Sequence, residues 1–142
     1  MQLAIYYHDY VYSIWKKDNE EQSALKAIQV LQDAGFNTDG IHRIDQLILC
    51  TKHHNGTSND ENLLIDFDLT ILGQSEEVYH DYAVKIRKEY AKIPGIMYRK
   101  GRKKVLQHFL DKPNIYQTTL FKSTYEKQAR ANLSNELKCL YY

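Results

Sequence analysis

The sequence predicts an all-α protein, and three observations predict it. Apolar residues recur at helical spacing in one segment after another. Polar capping residues open those segments, and Gly or Pro closes several of them. Signals for strands are weak, because the chain has only six Gly and two Pro, and Val is scarce.

Residues 2–12 are apolar on nearly every side except at His8 and Asp9. They are expected to form a buried helix, with a strand as the alternative given the aromatics. After a loop over 13–17, Asp18 is placed to cap a helix reaching about Ala34, with Glu20 and Glu21 in its first turn. Ala24, Ala27, Ile28, Leu31 and Ala34 keep helical spacing there, and Gly35 ends it. Asn37 or Thr38 starts the next helix, whose apolar face is Ile41, Ile44, Leu47 and Ile48 and which ends near His53. Residues 54–60 form a polar loop.

The run from Leu64 to Gly73 is apolar except for Asp66, Asp68 and Thr70. It fits two turns of helix, with Gly73 as the C-terminal cap. On a helix the two carboxylates lie about 200° apart, so one is expected to point inward for a purpose and the other outward. Ser75 caps a further helix with a stripe of Tyr79, Tyr82, Ala83, Ile86, Tyr90 and Ile93, broken by Pro94-Gly95. A helix over about 96–110, an extended piece over 113–119 and a last helix over about 120–140 complete the chain.

The length of 142 residues suits one domain with one core. A net charge of +1 supplies no field for nucleic acid or a membrane surface, and no apolar run approaches membrane-spanning length. The two cysteines, Cys50 and Cys139, lie far apart and form no C-x-x-C, which predicts reduced thiols in a cytoplasmic protein.

The dipeptide His-Asp occurs twice, each time between tyrosines. His80 and Asp81 fall off the apolar stripe of their helix and read as solvated surface. His8 and Asp9 have apolar neighbours on both sides. They form either an internally paired core couple or part of a ligand site, and with a distant Asp they offer mixed N and O donors. Such donors suit Mn²⁺, Fe²⁺, Zn²⁺ or Mg²⁺ rather than a thiolate-selected metal. Residues 99–104 carry five basic side chains. Runs of this kind are usually solvated, and the functional alternative is that Arg99 or Arg102 reaches a substrate phosphate through its planar fork.

These residues, taken in order, resemble the predicted HD-superfamily metal-dependent phosphohydrolases. The resemblance is carried by His8-Asp9, Asp18-Asn19-Glu20-x-x-Ser23-Ala24, Thr51-Lys52-x-His54 and Asp66-x-Asp68-Leu69-x-Ile71-Leu72-Gly73. Further on, Tyr98-Arg99-x-Gly101-Arg102 and Val105-Leu106-x-x-Phe109-Leu110 continue it. It implies a single HD-like helical bundle over 1–142 and one divalent metal ion held by His8, Asp9 and Asp68, with Asp66 as the alternative to Asp68. The family's first His has no match in the seven residues before His8, so the chain is expected to lack the family's N-terminal helices.

The activity implied is hydrolysis of a nucleotide or other small phosphoester. Asp9, Glu20 and His54 would be catalytic, and Lys52, His53, Arg99 and Arg102 would meet substrate phosphate. The competing expectation is a degenerate HD domain that binds a nucleotide or a protein partner without turnover. Self-association through the first segment, at Leu3, Ile5 and Tyr6, is also expected.

Overall fold

The computed structural model describes residues 1–140. Among them every regular element is helical and no strand occurs, so the chain is all-α as the periodicity predicts. The helices are α1 (Gln2–Tyr7), α2 (Asn19–Asp33), α3 (Thr38–Cys50), α4 (Asn59–Asp68), α5 (Glu76–Glu89), α6 (Gly95–Asp111) and α7 (Thr119–Cys139). A 3₁₀ helix, Leu69–Gly73, lies between α4 and α5. The chain divides into two compact units, Met1–Asp68 and Leu69–Tyr142.

In the first unit α2 and α3 pack along each other, and α1 lies against both. Their apolar faces build one core from Ala4, Ala24, Ala27, Leu31, Ile41, Ile44, Leu47, Ile48 and Leu64. The α3 stripe is buried as expected; of the α2 stripe Ala24, Ala27 and Leu31 are buried, Ile28 is half-buried, and Ala34, which follows the helix, is exposed. Gly35 adopts a φ of 76°, a left-handed conformation that costs glycine little, and it ends α2 as expected. Asn37 accepts a hydrogen bond from the Gly40 N–H at 2.7 Å and so caps α3.

The first segment departs from expectation. It is helical only over Gln2–Tyr7, and within that helix only Ala4 is buried. Tyr6 is 70% exposed, and Tyr10 and Tyr12 are exposed as well. The cause lies in α2. The fully buried Ser23 hydroxyl accepts from the Val11 N–H at 3.0 Å and donates to the Val11 carbonyl at 3.3 Å. Asn19 makes the same two-way exchange with the Ser13 backbone at 3.0 Å each way. Backbone groups that a longer helix would use are taken up by side chains, so the chain turns after Tyr7 and follows α2 instead.

In the second unit α7 packs on the 3₁₀ helix and on α6, and α5 also meets the 3₁₀ helix. Leu69, Leu72, Tyr79, Leu106, Ile115, Tyr116, Ala129 and Leu133 are buried there. The 3₁₀ carbonyls find side-chain partners: Tyr116 donates its hydroxyl to Leu69 at 2.9 Å, and Asn132 donates to Leu72 at 2.8 Å. Gly73 is not the left-handed cap that the sequence suggested, since Gly35 is the glycine with positive φ. Its service is close approach. A Cβ on it would meet Tyr125 Cβ at 2.6 Å and the Tyr116 hydroxyl at 2.9 Å.

Gly73→Ala should therefore lower unfolding stability by about 1–3 kcal/mol, as overpacking does. Gly101 lies inside α6 with nothing within 4 Å of a built Cβ. Gly101→Ala should raise stability by about 0.5–1 kcal/mol through helix propensity. Urea unfolding of the two variants beside the parent reads both signs.

Candidate metal centre

The first unit brings four of the singled-out side chains together. Asp68, the last residue of α4, sits between two imidazoles. His54 Nε2 is 3.1 Å from Asp68 Oδ2, and His8 Nε2 is 3.4 Å from Asp68 Oδ1. His8 Nε2 also lies 3.9 Å from Asp9 Oδ2. One ligand atom each from His8, Asp9 and Asp68 falls within 4.8 Å of the other two. His8 and Asp68 side chains keep 19% and 26% of their exposure, so the group is sheltered but open to solvent.

The His8 ring is oriented by a second bond, and His54 is held through its backbone. His8 Nδ1 lies 2.8 Å from the Ile5 carbonyl. A carbonyl oxygen only accepts, so Nδ1 carries a proton and Nε2 is the atom turned toward the carboxylates. A metal-ligating His commonly has this arrangement. His54 ends the turn that follows α3, with its N–H directed to the Thr51 carbonyl at 3.4 Å. Its φ of 48° makes it the positive-φ non-glycine residue of the described chain. Such a backbone costs on the order of 1 kcal/mol and persists where surroundings enforce it.

Electrostatics follow the geometry. The Asp68 carboxylate beside His8 raises the imidazole pKa from 6.5 to about 9, against the opposing effect of burial. Burial works against the charge on Asp68, but the hydrogen bonds from His54 and His8 outweigh it and hold the carboxyl well below its usual range.

The other expected residues are distributed as follows. Asp66 is fully buried, so the two carboxylates of α4 do go to different surroundings, and the one facing His8 and His54 is Asp68. Glu20 stands in the first turn of α2, where its charge acts on Lys52. Its neighbour Glu21 is the residue that pairs with Lys52. His53 is exposed. His80 and Asp81 are exposed on α5, as the amphipathic spacing predicts.

Arg99 and Arg102 belong to the second unit. Arg99 is exposed and lines a cavity of about 500 Å³ there. Arg102 is half-buried in a bidentate pair with Glu136, its Nε 2.7 Å from Oε1 and its second nitrogen 2.9 Å from Oε2. Tyr79 donates its hydroxyl to the same Glu136 carboxylate. Sequence reading quoted Asn19 and Ser23 within a motif but missed that they fix the backbone after Asp9; the further signal was two polar side chains at helical spacing.

The donor set suits a hard or borderline divalent cation: one imidazole nitrogen and two carboxylates, with the imidazole fixed by a backbone carbonyl. No helix among the described residues is long and apolar enough to cross a membrane. No protein-family model, no curated protein and no solved structure matches the chain.

The pKa shifts give a pH signature in metal-free buffer. A raised His8 pKa contributes stability that is complete below pH 6.5 and is lost as pH climbs through about 9. A lowered Asp68 pKa contributes stability that is present above the usual carboxylate range and is lost in acid. The protein should lose about 3 kcal/mol between pH 6.5 and 9.5 from this source. Asp68→Asn should flatten that slope in a thermal-melt series.

Proposed function

We propose that this chain is a metal-dependent phosphohydrolase acting on a nucleotide or other small phosphoester, of the HD kind its motifs resemble. The observation that carries the reading is the convergence of His8 Nε2, Asp9 and Asp68, with His8 Nδ1 anchored on the Ile5 carbonyl. A His-Asp doublet and a distant Asp are the residues the resemblance assigns to the cation, and they meet at one point. A divalent cation supplies Lewis acidity: it polarises phosphoryl oxygens and makes water a competent nucleophile near neutral pH.

The chain's own residues do the rest. His8 and the two carboxylates hold the cation; before it binds, a protonated His8 faces two carboxylates, a net charge near −1. Asp9 is the more exposed carboxylate, with 67% of its side chain open, which suits it to accept a proton from the attacking water. Lys52 and His53 precede His54 on the same turn, and on this reading they meet substrate phosphate. The ion pair between Lys52 and Glu21 is partly exposed, so exchanging its carboxylate for a phosphate oxygen costs little. Glu20 is left to orient water from the first turn of α2.

A second reading is favoured by a specific observation. Asp68 is already met by two imidazoles, as a structural ion-pair group would be. On that reading the chain is a degenerate HD domain that binds a nucleotide or a partner without turnover.

Metal analysis after Mn²⁺ loading, with p-nitrophenyl phosphate turnover, separates the two. The phosphohydrolase reading expects about one ion per chain and Mn²⁺-dependent release of phosphate. Asp68→Ala should remove both, and Asp81→Ala in the twin His-Asp pair should remove neither. Stoichiometric metal without turnover on any phosphoester leaves the degenerate-domain reading standing. If the parent takes up no metal, the cation site itself is lost.

A further inference from the structure

We infer that His54 is a positioning residue for the cation site: its ring holds Asp68 so that one carboxylate oxygen stays turned toward His8 and Asp9. The inference rests on the cation-site reading above and assigns His54 a part different from phosphate binding or proton donation.

The division of labour lies in the two oxygens of one carboxylate. Oδ2 faces His54 Nε2 at 3.1 Å, and Oδ1 faces His8 Nε2 at 3.4 Å. An ionised carboxylate only accepts, so His54 Nε2 donates to Asp68 Oδ2 in this contact. By distance too it stands outside the convergent set: the ligand atoms within 4.8 Å of one another are those of His8, Asp9 and Asp68. What it does is remove one rotational freedom of Asp68. A carboxylate held at one oxygen presents the other in a fixed direction, which is the part that groups behind a metal's ligands play.

The backbone tells the same story. A left-handed φ of 48° in a non-glycine residue is kept where it is enforced, and here it carries the ring back onto α4. Thr51 prepares the turn by donating its hydroxyl to the Ile48 carbonyl at 2.8 Å. A ring serving as proton donor to a substrate would have its Nε2 open to the cleft; this one is committed to a carboxylate beneath it, with 25% of the side chain exposed.

Co²⁺ alone is the probe, titrated into the full chain and followed by calorimetry and by its visible spectrum. His54→Ala should keep one Co²⁺ per chain but bind it 10–100-fold more weakly, with a changed visible band. His54→Gln, whose amide N–H still donates to Oδ2, should recover part of that loss. His54→Gly relieves the left-handed backbone, so it should melt no lower than His54→Ala while binding Co²⁺ as weakly; a merely structural role would not separate the two readouts. Parent-like Co²⁺ affinity and spectrum in His54→Ala and His54→Gly would overturn the inference. So would Cu²⁺-loaded protein showing two bound imidazole nitrogens by electron paramagnetic resonance that fall to one in His54→Ala, because His54 would then be a ligand. Failure of the underlying cation reading looks different: the parent itself takes up no Co²⁺ and matches Asp68→Asn.

Discussion

The first unit is organised around one carboxylate. Asp68 is the last residue of α4, and at it meet the end of α1, carrying His8, and the turn after α3, carrying His54. A charge this sheltered is costly unless paired and hydrogen-bonded. Two imidazoles from two different elements meet that requirement. His54 does so at a conformational cost, through its left-handed backbone, whereas His8 keeps right-handed helical dihedrals. Withdrawing Asp68 would leave the His54 ring without the partner that its conformation serves.

The twin His-Asp pairs show how far surroundings decide chemistry. His80-Asp81 lies in the middle of α5, on the face away from Tyr79, and stays in water. His8-Asp9 falls just past the end of α1, where Ser23 and Asn19 draw the chain onto α2. The same two residues flanked by the same tyrosines thus have an exposed helix face in one case and a sheltered corner in the other. Just past the end of α1, His8 Nε2 and the Asp9 carboxylate come within 3.9 Å of each other.

Helix spacing and capping residues made most of the fold readable before any coordinates. The faces of α2 and α3, the Gly35 stop, the Asn37 and Ser75 caps and the Pro94 break all follow from interactions within a few residues. The misreadings share a cause in distance along the chain. Residues 2–12 look like a buried helix because their composition is apolar, while the Ser23 side chain that ends the helix lies 12 residues from its partner Val11. Gly73 looks like a cap because caps are local, while its need is room for Tyr125 and Tyr116. Arg102 looks like an open fork because nothing near it is acidic; its partner Glu136 is 34 residues on. In the candidate site the residue types were legible, but the choice between Asp66 and Asp68 was not, because it depends on where two histidines arrive from elsewhere.

On the proposed reading a cation would occupy the geometry that the ion-pair group already has. His54 engages Asp68 Oδ2 in that geometry. The cation would enter the gap bounded by His8 Nε2, Asp9 and Asp68 Oδ1 in place of the proton on the imidazole. With the proton, one positive charge faces two carboxylates; with a divalent cation, two do, and the imidazole returns to its neutral form with Nδ1–H still on the Ile5 carbonyl. The second arrangement balances the charge of the corner more completely. Ser23 and Asn19 hold the chain that follows His8 and Asp9 through bonds to the Val11 and Ser13 backbone, and none of those bonds involves a ligand side chain.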